Sequence, residues 1–363
     1  MDIIIVAPSL DPTVNVSGVS AVANFIIHNN PSRQYLHFQQ GKGDTESGHL
    51  ISRASRICRT YRHWKSFLST HPDCLVHYNF PLDAPSILRD YWFMALAVRK
   101  KRKMVVHIHG GLYLFKTKRP WVINRLLKSV FQWGLPVIVQ SDKEEAVLKN
   151  DFKAEKVQVL ANCIDLGDAQ TFKREPCLHG PLEIVYLGRI EPNKGMDDML
   201  KAAEMLKRHG VNFRLHLAGK EQTAGAYIPR FEKALGSQFV YEGIVSGAKK
   251  EQLMKKCQVF LLPSLYEGLP MSLLECMSYG MVPVTTNVGS ISTVVENGKN
   301  GFLVHQKDAD SIVTAITTID QDRQQMNEMG LLAQSTIIHQ FSPQQYITTL
   351  NHIYDSEVKT HLH

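Results

Sequence analysis

Short apolar runs alternate with amphipathic stretches along the chain. In the first half the apolar runs predict buried strands at residues 1–8, 103–111, 134–142 and 155–162. In the second half they predict strands at residues 182–190, 212–220, 239–245, 257–264 and 281–290. Apolar strands separated by helices are typical of parallel sheets with βα crossovers. The pattern therefore predicts an α/β fold with a parallel sheet in each half.

Helix start and stop signals complete this pattern. Ser141 and Asp142 predict a helix start, residues 196–210 form an amphipathic repeat that ends at Gly210, and residues 341–358 predict a last helix. The segment 165–181 is polar, contains Gly and Pro and lacks periodicity. Because a chain of 363 residues exceeds the usual size of one core, we place a domain boundary in this segment.

The composition is that of a globular protein, with 44% hydrophobic residues. We expect no signal peptide, and the sequence has no apolar run long enough to cross a membrane. The six cysteines do not follow zinc-binding spacing, which favours a reduced, cytosolic protein.

Charge is distributed unevenly between the halves. Residues 1–180 contain 24 Lys and Arg against 15 Asp and Glu, whereas the rest contains 17 against 19. A basic half joined to a nearly neutral half predicts an anionic partner on one side only.

The segment "GRIEPNKG" at residues 188–195 follows a predicted strand and precedes a predicted helix. Gly188 permits a tight exit from the strand, and Arg189 and Lys194 share the short loop. Two cations beside a helix start suit a phosphate or diphosphate. The alternative is two solvated surface charges.

The segment "PSLYEGLPMSLLECMSYG" at residues 263–280 predicts a helix over 271–279, with Pro270 at its first position and Gly280 after its end. The helix start and the Ser272 hydroxyl could hold an anion. Glu267 could bind sugar hydroxyls, and Glu275 could accept both hydroxyls of a ribose. Alternatively, Glu275 pairs with a buried Arg or Lys.

Together, "GRIEPNKG" and "PSLYEGLPMSLLE" resemble the retaining glycosyltransferases of family 4, of the type that builds bacterial surface polysaccharide and O-antigen. The resemblance covers almost the whole chain. It includes "HLAGK" with Gly219, "VVHIHGG" with His109, and "NVSGVSAVANFI", where Gly18 matches and Ser17 replaces the family's first glycine.

The resemblance implies the GT-B fold, in which two Rossmann-like domains face each other across a cleft. It implies an acceptor-binding domain over 1–168, a nucleotide-sugar-binding domain over 181–342, and a C-terminal helix, 343–363, that packs back on the first domain. The catalytic residues it implies are His109, Arg189, Lys194 and Glu267. The donor-binding residues it implies are Gly18, Gly188, Gly219, Gly268, Leu269, Pro270, Met271, Ser272 and Glu275.

The activity implied is transfer of a hexose or N-acetylhexosamine from a nucleotide sugar to a lipid-linked, polyprenyl-diphosphate saccharide, with retention and without metal or other cofactor. The breadth of the family favours UDP as the nucleotide. Two D-x-D segments, 308–310 and 320–322, are interpreted as helix caps and not as metal ligands. The alternatives are a nucleotide-sugar epimerase and a non-catalytic nucleotide-sugar-binding partner.

Residues 51–68 predict a basic amphipathic helix, and residues 99–103 add a second basic cluster. We predict that these segments dock on an anionic membrane, which places the protein in the cytoplasm at the inner face of the plasma membrane. The alternative is an ordinary surface helix whose apolar stripe faces the sheet. No nucleic-acid motif is present, so nucleic acid is not expected as a partner. The basic residues of this prediction are Arg53, Arg56, Arg59, Arg62, Lys100, Lys101, Arg102 and Lys103.

Overall fold

The chain folds as two α/β units, seen in a computed structural model that describes residues 1–11, 17–41, 50–110, 112–115 and 118–360. The side chains of residues 50–54, 112, 359 and 360 lie outside this description. The first unit comprises residues 1–163 and 343–363, and the second comprises residues 164–342.

The strands of the first unit are β1 Ile3–Ala7, β2 Tyr35–Gln39, β3 Leu75–Phe80, β4 Met104–Ile108, β5 Val137–Val139 and β6 Val157–Val159. Those of the second unit are β7 Leu182–Leu187, β8 Phe213–Ala218, β9 Phe239–Gly243, β10 Val259–Leu262, β11 Val282–Thr286 and β12 Phe302–Val304. Each set forms one sheet, in the orders β2-β1-β3-β4-β5-β6 and β12-β11-β10-β7-β8-β9. All pairs within both sheets are parallel.

The helices cover the faces of the two sheets. In chain order they are α1 Gly18–Asn29, α2 Leu50–Thr70, α3 Ala84–Arg99, α4 Leu112–Phe115, α5 Trp121–Phe131, α6 Asp142–Phe152, α7 Met196–Arg208, α8 Ile228–Leu235, α9 Gly247–Lys256, α10 Met271–Ser278, α11 Ala309–Gln321, α12 Arg323–Gln340 and α13 Pro343–Thr360. No described helix is both long and apolar enough to cross a bilayer.

Helix α13 belongs to the first unit and packs on α1 and on the sheet. The rings of Phe25 and Tyr346 meet edge to face at 5.4 Å. Tyr354 is fully buried and hydrogen-bonds to His77 on β3, at 2.6 Å. Arg33 donates to Asp355 at 2.6 Å. Aromatic burial and a charge-assisted hydrogen bond thus hold the end of the chain on this unit.

The predicted α/β fold with two parallel sheets is confirmed, and each predicted strand is present within one to four residues at either end. Strands β2, β3 and β12 were not predicted. The missed strand β3 reads "LVHYNF", and its buried His77 and Asn79 interrupt the apolar run. These polar side chains are buried because they hydrogen-bond to neighbouring elements, which no local pattern reveals.

Candidate functional site

Two of the singled-out motifs meet at the carboxyl edge of the second sheet. Strand β7 leads into residues 188–195, its neighbour β10 leads into residues 263–270, and the two strands pair in parallel. The Leu265 N–H donates to the Asn193 carbonyl at 2.9 Å and joins the two loops. Carboxyl edges of open parallel sheets are where ligands of α/β proteins bind.

Lys194 and Glu267 form the central ion pair of this edge. Lys194 Nζ donates to Glu267 Oε1 at 2.6 Å, and Ser264 Oγ donates to the same oxygen at 2.7 Å. The side chains of Lys194 and Glu267 are 17% and 11% exposed, so the pair is shielded but still reachable from solvent. Sequence reasoning missed Ser264, since a serine at the end of a strand gives no distinctive signal.

Arg189 extends from the same edge with its guanidinium 40% exposed, 3.7 Å from Glu191. Its main chain is fixed from below, because the Tyr186 hydroxyl donates to the Arg189 carbonyl at 2.6 Å. Burial raises the pKa of Tyr186 well above its ordinary value, so this hydroxyl remains a donor. The result is a fixed backbone that carries an accessible cation.

Glycine is required where these loops approach other backbone. Gly219 has a φ of +146°, and a Cβ there would lie 1.7 Å from the Gly188 carbonyl oxygen. Gly195 has a φ of +72°, and its Cβ would lie 2.0 Å from the Pro263 carbonyl oxygen. At both positions the "GRIEPNKG" loop packs closely against the backbone that follows a neighbouring strand, β8 at Gly219 and β10 at Pro263.

The start of α7, beside the two cations, carries acidic side chains. Its first turn carries Asp197 and Asp198, and Asp197 pairs with Arg230 at 2.9 Å. These carboxylates already compensate the positive end of the helix dipole. The cationic character of this edge therefore comes from the side chains of Arg189 and Lys194.

Helix α10 begins at Met271, as the predicted range 271–279 has it, and Pro270 takes the capping position and not the first helical position. No side chain in the described chain caps this start, and Met271 and Ser272 are half-buried. Leu269 is buried and anchors the loop, while the Gly268 carbonyl accepts from Ser290 N–H at 3.0 Å. Pro270 has no N–H to lose, and the first-turn N–H groups point toward the loop side of the sheet edge.

Glu275 of α10 forms an ion pair with a lysine of the neighbouring helix α9. Lys250 on α9 donates to Glu275 Oε2 at 2.5 Å, and the two side chains are 28% and 26% exposed. The alternative interpretation of an ion pair is thus the observed one, although the pair is half-buried and open to solvent. Lys250 directly follows Lys249, and nothing in the sequence indicates that it is the partner of Glu275.

On the first unit, His109 follows β4 and is held by Asn79 at the end of β3. Asn79 Nδ2 donates to the Val6 carbonyl at 2.9 Å, so its Oδ1 faces His109 Nε2 at 2.6 Å. His109 must then carry its proton on Nε2, because Oδ1 only accepts. Its Nδ1 is left as a bare acceptor, buried and without a hydrogen-bond partner among the described residues.

A buried chain of neutral groups continues behind His109. The His107 and His109 rings lie 4.1 Å apart, and His107 Nδ1 lies 3.2 Å from His77 Nε2. Burial lowers the pKa of His77 to about 4, and burial with His77 nearby lowers that of His109 to about 3. Burial likewise holds the pKa of His107 well below its ordinary value. These histidines are uncharged at neutral pH.

Gly18 begins α1, and a Cβ at this position would meet nothing within 4 Å. Ser17 caps the helix, since its hydroxyl accepts from Ser20 N–H at 3.3 Å. Packing within the first unit therefore does not require a glycine at position 18.

The predicted basic helix is present as α2, but its apolar stripe is used by the core. Trp64 is fully buried and donates from Nε1 to the Phe93 carbonyl at 2.9 Å. Arg56, Arg59 and Arg62 are exposed, whereas Arg53 lies outside the described side chains. The last turns of the stripe thus face the core, as in the alternative interpretation, whereas Ile57 is 42% exposed.

The second basic cluster lies at the opposite, amino edge of β4. Arg102 donates to the carbonyl of Leu68 near the end of α2, at 2.7 Å, and Lys100 donates to Ser69 Oγ at 3.0 Å. Lys103 is half-buried, and Lys101 is exposed. Arg102 and Lys100 therefore secure the end of α2, and of the four predicted residues only Lys101 is fully exposed.

The two D-x-D segments cap helices, as interpreted from the sequence. Asp308 accepts from the N–H groups of Asp310 and Ser311, at 3.1 and 3.2 Å, and Asp322 accepts from Gln325 N–H at 2.8 Å. In the part of the chain that the structure describes, no three His, Cys, Asp or Glu side chains are grouped to hold a metal ion.

With the fold and the site geometry established, the class of the protein follows from family comparison. Residues 168–335 match the family of glycosyl transferases group 1. The chain therefore contains a glycosyltransferase group 1 domain, and this domain holds the Lys194, Glu267 and Glu275 cluster.

Two relatives illustrate the match. WcaL of Escherichia coli K12, a protein named for glycosyl transfer in colanic acid biosynthesis, is 30% identical over 177 residues, which are 45% of this chain and 42% of WcaL. A UDP-Gal:alpha-D-GlcNAc-diphosphoundecaprenol alpha-1,3-galactosyltransferase of Escherichia coli is 29% identical over 102 residues, 28% of this chain and 26% of that protein. The chain spans less than half the length of these curated relatives.

Solved structures share the fold over almost the whole chain. Sucrose-phosphate synthase from Thermosynechococcus elongatus has a TM-score of 0.78 at 16% identity, covering 99% of this chain and 100% of that one. HepE of Anabaena, solved in complex with UDP, has a TM-score of 0.73 at 17% identity, covering 98% and 100%. These neighbours have the GT-B fold, so the predicted fold class is confirmed.

Proposed function

We propose that the protein is a retaining, metal-independent glycosyltransferase of family 4. It moves a hexose or N-acetylhexosamine from a UDP-linked donor to a hydroxyl of a polyprenyl-diphosphate-linked saccharide, in surface polysaccharide or O-antigen synthesis. The observation that carries this proposal is the shielded pair of Lys194 with Glu267 beside the exposed guanidinium of Arg189.

Arg189 and Lys194 have the chemistry that a departing nucleoside diphosphate needs. Negative charge develops on the leaving phosphate oxygens during transfer, and fixed cations stabilise that charge more than they stabilise the bound donor. Glu267 holds Lys194 by a 2.6 Å hydrogen bond, which orders the ammonium group before the donor binds. The uncapped start of α10 adds backbone N–H donors for the same diphosphate.

Glu275 and Lys250 suit the nucleoside end of the donor. A carboxylate can accept from both ribose hydroxyls, and its half-buried position leaves a solvent-facing approach. Lys250 then holds the carboxylate in place by its hydrogen bond. The HepE complex with UDP supports UDP as the nucleotide.

On the first unit, His109 provides a hydrogen-bond acceptor for a sugar hydroxyl. Because Asn79 fixes the proton on Nε2, the bare Nδ1 accepts a hydrogen bond from a sugar hydroxyl. The lipid-linked acceptor is supported by the relative that acts on a diphosphoundecaprenol-linked sugar.

Thermal unfolding in EDTA with UDP, GDP, ADP and dTDP tests the donor site. We expect UDP to raise the melting temperature of the wild type and Glu275→Gln to abolish the shift. The matched control is Glu251→Gln, since Glu251 pairs with Lys255 on the same helix α9 and has a similar exposure of 33%. This control should keep the UDP shift.

Failure of every nucleotide to stabilise the wild type would overturn the nucleotide-sugar proposal. If UDP stabilises the protein, product analysis with a UDP-sugar decides the reaction. Release of UDP only when a lipid-linked saccharide is present supports transfer. Conversion of the UDP-sugar without acceptor would instead support the epimerase, and no turnover at all would support a binding protein.

A further inference from the structure

The first unit exposes a group of large apolar side chains that its own core does not use. Trp121 is 75% exposed, Trp92 61% and Leu88 47%. Phe115 and Val122 are 41% and 37% exposed. Isolated exposed apolar residues are normal, but two exposed tryptophans on the packed helices α3 and α5 favour a partner. We call Leu88, Trp92, Phe115, Trp121 and Val122 the aromatic patch.

The residues of the aromatic patch follow two adjacent strands of one sheet. Leu88 lies in the first turns of α3 after β3, whereas Phe115 and Trp121 follow β4, and these strands pair in parallel. Tyr113 N–H reaches the Leu82 carbonyl at 3.4 Å and ties the start of α3 to α4. Leu88, Phe115 and Trp121 therefore lie toward the carboxyl edge of the sheet, where His109 also lies, and Trp92 lies one turn further along α3.

Helices α3 and α5 lie side by side in this region. Tyr91 of α3 contacts Ser129 of α5 at 3.3 Å between hydroxyls. On α3, Leu88 and Trp92 are four residues apart and share a helix face. On α5, the exposed Trp121, Arg125 and Lys128 share a face at spacings of four and three.

The chain segment that carries most of the aromatic patch is basic, and Asp151 of α6 lies 3.8 Å from its Arg119. Residues 91–141 contain ten Lys and Arg and no Asp or Glu. Lys118, Arg125 and Lys128 are exposed within this range. Of the earlier acids on α3, Asp90 is buried against Arg89, and the exposed Asp83 caps the helix by accepting from Ser86 N–H at 3.0 Å.

We propose that the aromatic patch, with Lys118, Arg125 and Lys128, docks the first unit on an anionic lipid bilayer. Tryptophan side chains favour the headgroup level of a bilayer, and neighbouring cations bind lipid phosphates. The proposal moves the membrane contact from α2, whose Trp64 and Leu68 are buried in the core, to α3, α4 and α5. The idea that this docking brings the protein to a lipid-linked acceptor rests on the proposed function.

Sedimentation with lipid vesicles tests the patch without donor or acceptor. We expect the wild type to bind vesicles of phosphatidylcholine mixed with phosphatidylglycerol and to bind pure phosphatidylcholine weakly. Trp121→Ser with Val122→Ser should weaken binding to the mixed vesicles at least about tenfold. Arg125→Glu with Lys128→Glu should weaken it similarly and reduce its dependence on salt.

Leu331→Ser with Leu332→Ser is the matched control, since these adjacent residues of α12 are 56% and 45% exposed and lie on the second unit. This control should bind vesicles like the wild type. The altered side chains are all exposed, so circular dichroism and melting temperature should remain unchanged in every variant.

Three outcomes would overturn the proposal. In the first, the wild type fails to bind anionic vesicles. In the second, the variant with Trp121→Ser and Val122→Ser binds them normally. In the third, Arg56→Glu with Arg59→Glu abolishes binding, whereas Trp121→Ser with Val122→Ser does not. The last result would return the membrane contact to α2. Because the assay contains no nucleotide, and the UDP assay contains no lipid, failure of either proposal is recognised separately.

Discussion

The two units build polar groups into the carboxyl edges of their sheets by different means. The second unit uses ion pairs, Lys194 with Glu267 and Lys250 with Glu275, which remain partly open to solvent. The first unit uses His109 and Asn79, backed by His77 and His107, and these groups are neutral.

This difference matches two tasks in the proposed reaction. A leaving diphosphate carries charge and needs charged partners, which keep their affinity only if they are ordered and shielded. A sugar hydroxyl is neutral and needs an acceptor of defined tautomer. The assignment of these tasks can be tested by removing a charge from the edge of the second unit or by adding a charge to the edge of the first unit.

Lys194→Met should have the largest effect. Loss of a fixed cation at the leaving phosphate should lower kcat about 10²- to 10³-fold, with little change in the KM for the acceptor. Steady-state kinetics with a UDP-sugar and a lipid-linked acceptor measure this effect.

Lys299→Met is the control for Lys194→Met, because Lys299 also pairs with a glutamate, Glu296, but is 61% exposed. It should retain full activity. An activity of Lys194→Met within a few-fold of the wild type would show that charge at this edge does not serve catalysis.

Gly195→Ala should strongly destabilise the second unit. Its Cβ would lie 2.0 Å from the Pro263 carbonyl oxygen, so the loop 188–195 or the loop 263–270 must move. Gly210→Ala is a matched control, since its φ of +75° is close to the +72° of Gly195 and its Cβ meets nothing within 4 Å.

Both substitutions should lower the free energy of unfolding by about 1 kcal/mol, because alanine disfavours a left-handed backbone. Only Gly195→Ala also creates a steric clash, which should lower it by a further ~2 kcal/mol or more. Urea unfolding measures the difference. Equal stabilities would mean that the two loops are not packed against each other.

The sequence was informative about the second unit because its chemistry is local. Arg189 and Lys194 lie five residues apart, and Glu267 and Glu275 lie eight apart, each directly beside an apolar strand or helix pattern. Charged residues in such positions are conspicuous, and the fold follows from the alternation of strands and helices.

The partners of these residues could not be predicted in the same way. Lys250 reaches Glu275 across 25 residues, Asn79 reaches His109 across 30, and Tyr354 reaches His77 across 277. Such contacts depend on how the sheets pair, which a hydrophobic pattern does not specify. The burial of Trp64 on α2 could not be predicted for the same reason, because periodicity does not say whether a face meets the core or a membrane.

Acid should destabilise the first unit between about pH 6.5 and pH 4 through its buried histidines. Their folded pKa values lie below the unfolded value of about 6.5, at about 4 for His77 and about 3 for His109. The unfolded state therefore binds protons first as the pH falls. Each histidine should cost about 2 kcal/mol of stability at about pH 5 relative to neutral pH.

Urea unfolding at several pH values checks this sign and size. His107→Gln should flatten the dependence by about one proton, because it removes one of the three depressed groups. Stability that rises as the pH falls through this range would contradict neutral burial of the histidines.

Asn79→Asp makes the first-unit edge resemble the charged second-unit edge and should have the smallest effect. A carboxylate facing His109 Nε2 stabilises the imidazolium, so the pKa of His109 should rise from about 3 toward or above its ordinary value. A charged His109 donates from Nδ1 and no longer accepts from a sugar hydroxyl.

We expect kcat of Asn79→Asp to fall about tenfold below the raised pKa of His109 and to recover above it. Asn79→Ala should lower kcat without a new pH dependence. Nuclear magnetic resonance titration of the histidine ring protons measures the pKa directly. An unchanged His109 pKa in Asn79→Asp would show that Asn79 does not set the tautomer, and the neutral acceptor assigned to the first unit would have to be abandoned.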